Sequence, residues 1–281
     1  MKAEQAFRLE QQHHQQNDVH YYAARETDAG LLRVQAAGQS SADGEVEKFL
    51  FYRGVASFHA PLTVTQSADG ASVTLQNTGA EELRHLFLYS VHDGHGKFLL
   101  VNRLAPGATQ STSLNQDKNS LPLSSLRARI AREMQRGLAE EGLYEREAAA
   151  MVQTWDDSWF AEPGVRVLYT LARPWTDRTL PLTLDPPARE VVRVMVGRAE
   201  LITPTMESEL KKQIVRFGES DAQTRGLVLE DVRQLGLGRF LEPATRRLIA
   251  TTPTREFSQL TAELLQAIAK PAAEPKPFAL R

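Results

Sequence analysis

Apolar positions change their spacing along this chain, and the changes mark its elements. From residue 19 to 116 short alternating or apolar runs recur: "VHYYAA", "LLRVQ", "KFLFYRGV", "PLTVTQ", "ASVTLQN", "HLFLYSV", "KFLLVNRL" and "TQSTSL". A period of two places one side of a strand against a core. Turn signals separate the runs at Asp43-Gly44, Asp69-Gly70, Asn77-Thr78-Gly79, Asp93-Gly94 and Pro106-Gly107. Short strands at this spacing predict an antiparallel sandwich.

Residues 117–204 open on a helical period. Leu123, Leu126, Ile130, Met134 and Leu138 form one stripe, and Ala148, Met151, Val152, Trp155 and Trp159 form another beyond Gly142. The pair predicts a helical hairpin that covers one sheet through Trp155, Trp159 and Phe160. Strand texture returns in "VRVLYTL", "LPLTL" and "EVVRVMVGRAELIT", where Gly197 marks a bulge or a close backbone approach. Residues 205–270 are helical again, with stripes at Met206, Leu210, Ile214, Phe217 and at Phe257, Leu260, Leu264, Ile268. Gly218 is expected as a C-cap, and Gly236 and Gly238 as the joint between two short helices. Residues 1–18 are a polar leader, disordered or frayed, and 271–281 a Pro-rich tail. The order "VTLQNTG", "LFLYSV", "LAPG", "STSL" resembles immunoglobulin-like accessory domains of bacterial surface proteins, a likeness of fold and not of activity. The expected class is therefore α+β: an immunoglobulin-like antiparallel β-sandwich, a helical hairpin, further strands and a small C-terminal helical unit.

Composition narrows the function classes. The 281 residues are 42% hydrophobic and 24% charged, ordinary for a soluble globular protein. With 33 basic and 35 acidic residues there is no excess of cations to hold nucleic acid. The absence of cysteine removes disulfides, thiolate metal sites and Cys nucleophiles. No apolar run approaches the ~18 residues of a membrane span. The N-terminus is too polar for a signal peptide, so the chain is cytoplasmic or an exported chain whose signal has been removed.

Candidate chemistry starts from "MVQTWDDSWF", residues 151–160. On an α-helix at ~100° per residue, Trp155 and Trp159 share the buried stripe, Asp156 lies at its edge and Asp157 points to water. Carboxylates so arranged do not converge as a catalytic acid–base pair must. Either the acids are simply solvated beside a core-facing Trp pair, or Asp156 meets a basic partner from the β layer in a surface cleft. "HYYAARETD" carries His20, Tyr21, Tyr22 and Arg25, and "KFLFYRGV" carries Lys48, Tyr52 and Arg53. Tyr and Arg are favoured contact anchors, so these segments are either a binding surface or strand ends with internal ion pairs. "VHDGHGK" places His92 and His95 on a hairpin turn rather than in a metal site. His85 falls on the face of Phe87, Tyr89 and Val91. Arg129, Arg132 and Arg136 form an exposed helix face, with Glu140 positioned to pair with Arg136. No GxSxG elbow, P-loop, HExxH or GxGxxG is present, and neither a cofactor nor a metal is expected.

"HYYAARETDAGLLRV", "EKFLFYRGV", "WDDSWFAEPGVRVLYTLARPWTD" and "RVMVGRAELITP" together resemble an uncharacterised family of bacterial exported proteins, over roughly residues 19–204. The resemblance implies a longer parent with an export signal, a periplasmic or cell-envelope location, and another envelope protein or surface component as partner. The expected function is a non-catalytic binding or scaffold protein contacting its partner through His20, Tyr21, Tyr22, Arg25, Tyr52, Arg53 and Asp156. The alternative is a hydrolase using Asp156 and Glu162 with His20 or Arg53, with or without a metal.

Overall fold

The structure is a computed structural model that describes residues 21–34, 45–51, 54, 58–67, 71–113 and 120–269. His20, Tyr52 and Arg53, the leader 1–18 and the tail 271–281 lie outside the described residues. The protein is mixed α+β with antiparallel sheets. It divides into two compact units, one within Met1–Thr65 and Ser72–Ala199, the other within Gln66–Ala71 and Glu200–Arg281.

The first unit opens with helix α1 (Tyr22–Arg25) and a ribbon of β1 (Leu32–Val34) and β2 (Glu45–Glu47). Strands β3 (Leu62–Gln66), β4 (Ser72–Asn77) and β7 (Thr109–Ser113) form a three-stranded sheet in that order. Strands β5 (Leu83–His92), β6 (His95–Leu104), β8 (Leu121–Pro122), β9 (Gly164–Leu171) and β10 (Met195–Leu201) form the larger sheet, ordered β10-β9-β5-β6-β8. The β5–β6 hairpin closes on Asp93 and Gly94, both at positive φ (47° and 72°). That is the type I′ geometry whose twist matches the flanking strands.

Helices α2 (Leu123–Glu140) and α3 (Glu145–Asp156) form the expected hairpin. Gly142 (φ 110°) ends α2 in a Schellman motif, with Leu143 N–H donating to Leu138 C=O at 3.2 Å and Gly142 N–H to Ala139 C=O at 3.0 Å. The hairpin lays its apolar stripe on the larger sheet. Leu126, Ile130, Met134 and Leu138 of α2 meet Phe87, Tyr89 and Val91 of β5 and Leu168 of β9 in one buried cluster. Gly197 is a close approach: a Cβ there would stand 2.5 Å from the Tyr169 ring. Tyr169 is buried on that contact, and desolvation pushes its phenol up to about 12.

Several sequence expectations are corrected. "VHYYAA" was expected as a strand, yet Tyr22–Arg25 is one helical turn packed on α3. "KFLFYRGV" was expected as a strand, yet the strand ends before it, at Glu47, and residues 48–51 are irregular. The "LPLTL" segment at 180–184 is not a strand, and its Leu182 and Leu184 are exposed. Its proline offers no N–H to a ladder and no neighbouring strand stabilises it. After α4 (Arg173–Thr179) and β10, the second unit is helical: α5 (Pro204–Glu219), α6 (Ala222–Gln234), α7 (Leu241–Thr251) and α8 (Arg255–Ala269). Gly218 is not the cap of α5 but lies inside it, where a Cβ would meet Leu260 at 2.7 Å. Thr203 caps α5 by accepting from Met206 N–H at 3.1 Å, and Asp221 caps α6 through Thr224 N–H at 2.8 Å. Leu210, Ile214, Phe217, Val228, Val232 and Leu264 are the centre of this unit's own core.

Candidate functional site

The Trp-Asp-Asp segment does not continue as an α-helix. Helix α3 ends at Asp156, and Asp157–Ala161 form one π-helical turn. Such single turns shift the side chains after them off the 100° wheel, while Asp156 and Asp157 stand at its start. Asp156 and Asp157 both accept from one Nη2 of Arg127 on α2, Asp157 at 2.8 Å. The basic partner of Asp156 therefore comes from the helical layer and not from the sheet. Asp157 still looks outward, its side chain 93% exposed. The Asp156 hydrogen bond is the main cause that raises Arg127 above its ordinary value.

Two further arginines hold the same turn from neighbouring strands. Arg166 of β9 is fully buried; it donates to Pro163 C=O at 2.6 Å and Trp159 C=O at 3.4 Å, and its guanidinium lies 5.5 Å from the Tyr89 ring centroid. Arg198 of β10 donates to Ser158 C=O and, at 2.6 Å, to Glu162 Oε2. Cations at a helix C-terminus meet unpaired carbonyls and the negative end of the helix dipole. With the backbone so pinned, Trp159 and Phe160 point into the core, while Trp155 is half-buried and stacks on Trp159 at 6.5 Å. In the hydrolase alternative, both carboxylates are thus already paired with arginines, Asp156 with Arg127 and Glu162 with Arg198.

The Tyr/Arg segment forms a separate small assembly. Arg25 is buried and meets Glu47 through Nε (3.0 and 3.1 Å) and Nη2 (2.6 Å). Lys48 Nζ donates to Thr27 C=O at 2.6 Å. These contacts tie α1 to the β2 end, where Tyr21 packs on Phe51 at 4.7 Å and on Phe49 at 6.0 Å. Leu50 and Phe51 are exposed at 65% and 49%. Tyr22 is half-buried. Asp156 is brought to the π-turn and not to this assembly.

Sequence reading gave His85 only a place on the core face. It sits in a β-bulge between Arg84 and Phe87 with φ 48°, an uncommon conformation for a non-glycine residue. Its ring lies against Gly137 of α2, where a Cβ would be 2.8 Å away. His85 Nε2 stands 3.5 Å from Glu141 and 3.6 Å from Glu140, and Arg84 is 3.6 Å from Glu141. The His85 contact, then Arg84, holds the Glu141 carboxyl below its ordinary value. At 3.5 Å the His85 contact is longer than a normal hydrogen bond. A shallow pocket of about 390 Å³ lies beside it, lined by Glu81, Glu82, Arg84, Glu141 and Arg173.

Among the described residues no group of three or more His, Asp or Glu side chains could hold a metal ion, and no helix is long and apolar enough to cross a membrane. Comparison with protein-family models, curated proteins and solved structures returned no match.

Proposed function

We propose that this chain is a non-catalytic binding or scaffold protein of the bacterial cell envelope. The observation that carries the reading is the exposed Leu50–Phe51 pair, backed by Tyr21 and anchored by the buried Arg25–Glu47 pair. Large apolar side chains held outward on a fixed base are the ordinary anatomy of a contact surface. The immunoglobulin-like reading of residues 19–116 belongs to the same proposal. It is supported by the three-stranded sheet and by Asn77, whose Nδ2 links that sheet to Leu104 C=O of β6 at 2.8 Å.

A photo-crosslinking residue placed at Leu50 tests the reading in bacterial cells that export the chain. One discrete adduct with an envelope component is expected, and Phe51→Asp should remove it without lowering the melting temperature. No adduct, or an adduct indifferent to Phe51→Asp, contradicts it.

A further inference from the structure

The segment between α4 and β10 is the longest irregular stretch within residues 120–269. Residues 181–190 are exposed without a break. No backbone group of residues 181–192 is hydrogen-bonded to another described residue. The two ends are nevertheless fixed. Arg193, its side chain only 14% exposed, donates through Nη2 to Leu180 C=O at 2.6 Å and through Nη1 to Asp177 Oδ1 at 2.9 Å. Val192 lies against Gly142, where a Cβ would stand 3.2 Å from its Cγ1. A surface loop whose ends are tied together in this way is an Ω-loop.

Arg189 of this loop stands apart from the other cations of residues 120–269. Each remaining arginine and lysine there lies in a helix or strand, except Arg193, whose guanidinium is held at the loop's base. Arg189 alone combines an exposed, irregular backbone with a side chain that has no partner among the described residues. An endoprotease takes several residues of its substrate as open main chain, so a bond inside a helix or strand is cut only after local unfolding. The unpaired backbone around Arg189 needs no such step. Pro186 and Pro187 fix φ and bias the residues before them toward extended conformations. A free guanidinium is what an arginine pocket with a carboxylate at its base takes up. We propose that the Arg189–Glu190 bond is a processing site for an arginine-specific endoprotease. The elements of water add across that bond and leave a carboxylate on Arg189 and an ammonium group on Glu190. The cut opens the loop and leaves the fold standing, because β10 stays in the larger sheet with Arg198 bonded to Glu162. The site is independent of the Leu50–Phe51 reading.

Trypsin at a limiting ratio, acting on the full folded chain and read by intact-mass spectrometry, is the test. Among the bonds of residues 120–269, Arg189–Glu190 is expected to be cut first, about tenfold faster than any other. The two pieces should co-elute in size-exclusion chromatography. Arg189→Gln should abolish the cut at unchanged melting temperature. A lysine-specific protease should leave residues 120–269 whole, since Lys211 and Lys212 lie within α5. Earlier cleavage of another bond in that range, survival of Arg189–Glu190, or pieces that separate overturns the proposal. So does lysine-specific cleavage in the same range at the trypsin rate, which would assign the cut to general unfolding and not to the loop.

Discussion

Of the side chains that hold the π-turn, Arg166 of β9 has the most to lose. Its guanidinium is buried among backbone carbonyls, so Arg166→Met leaves those acceptors without a donor inside the core. We expect a loss of about 2–5 kcal/mol in denaturant unfolding; a change below about 0.5 kcal/mol would mean that the turn holds itself. Phe160→Ala should cost about 3–5 kcal/mol, and Trp155→Ala distinctly less, because only the former is fully buried. Glu141 gives a pH signature. Its folded pKa is depressed, so the native state binds fewer protons than the unfolded chain. The stabilisation is complete above the ordinary glutamate value of about 4.3 and is lost as pH falls through the lower folded value. Melting temperatures followed downward across that window should fall less steeply for Glu141→Gln than for the parent; identical slopes would contradict the His85–Arg84–Glu141 contact.

At the level of elements, Gly197→Ala should destabilise by about 1–3 kcal/mol, since the buried Tyr169 ring cannot withdraw from the added methyl. A melt unchanged by that substitution would show that β10 does not press on β9 as described. This close approach was legible in the sequence, as a lone glycine inside an alternating run. So were the Asp93-Gly94 hairpin, the α2–α3 hairpin and most strands of the two larger sheets, because each has a strong local period or turn signal. What escaped the sequence depends on distant partners. Tyr22–Arg25 is too short for propensity to decide and is helical through its packing on α3 and the Arg25–Glu47 pair. The outward Asp157 was legible on the helical wheel, but not that both acids would reach one guanidinium, because Arg127 comes from a different helix. The burial of Arg166 had no local signal, since an arginine inside "VRVLYTL" alternates like any outward residue.

For the whole molecule, the segment that first invites an enzymatic reading is a joint between layers. Three arginines from α2, β9 and β10 converge on the turn between α3 and β9, and the two tryptophans and Phe160 are set by that joint. Among the described residues the Leu50–Phe51 pair is held outward, and it suits contact rather than bond-making, which is the basis of the binding reading. The central claim is that the acids beside the tryptophans are structural partners of Arg127. A double-mutant cycle with Arg127→Met and Asp156→Asn, read by denaturant unfolding, tests it most directly. The account predicts a coupling of about 0.5–3 kcal/mol. A coupling of zero would leave Asp156 energetically independent of Arg127 and would return the aspartate pair to the candidates for chemistry.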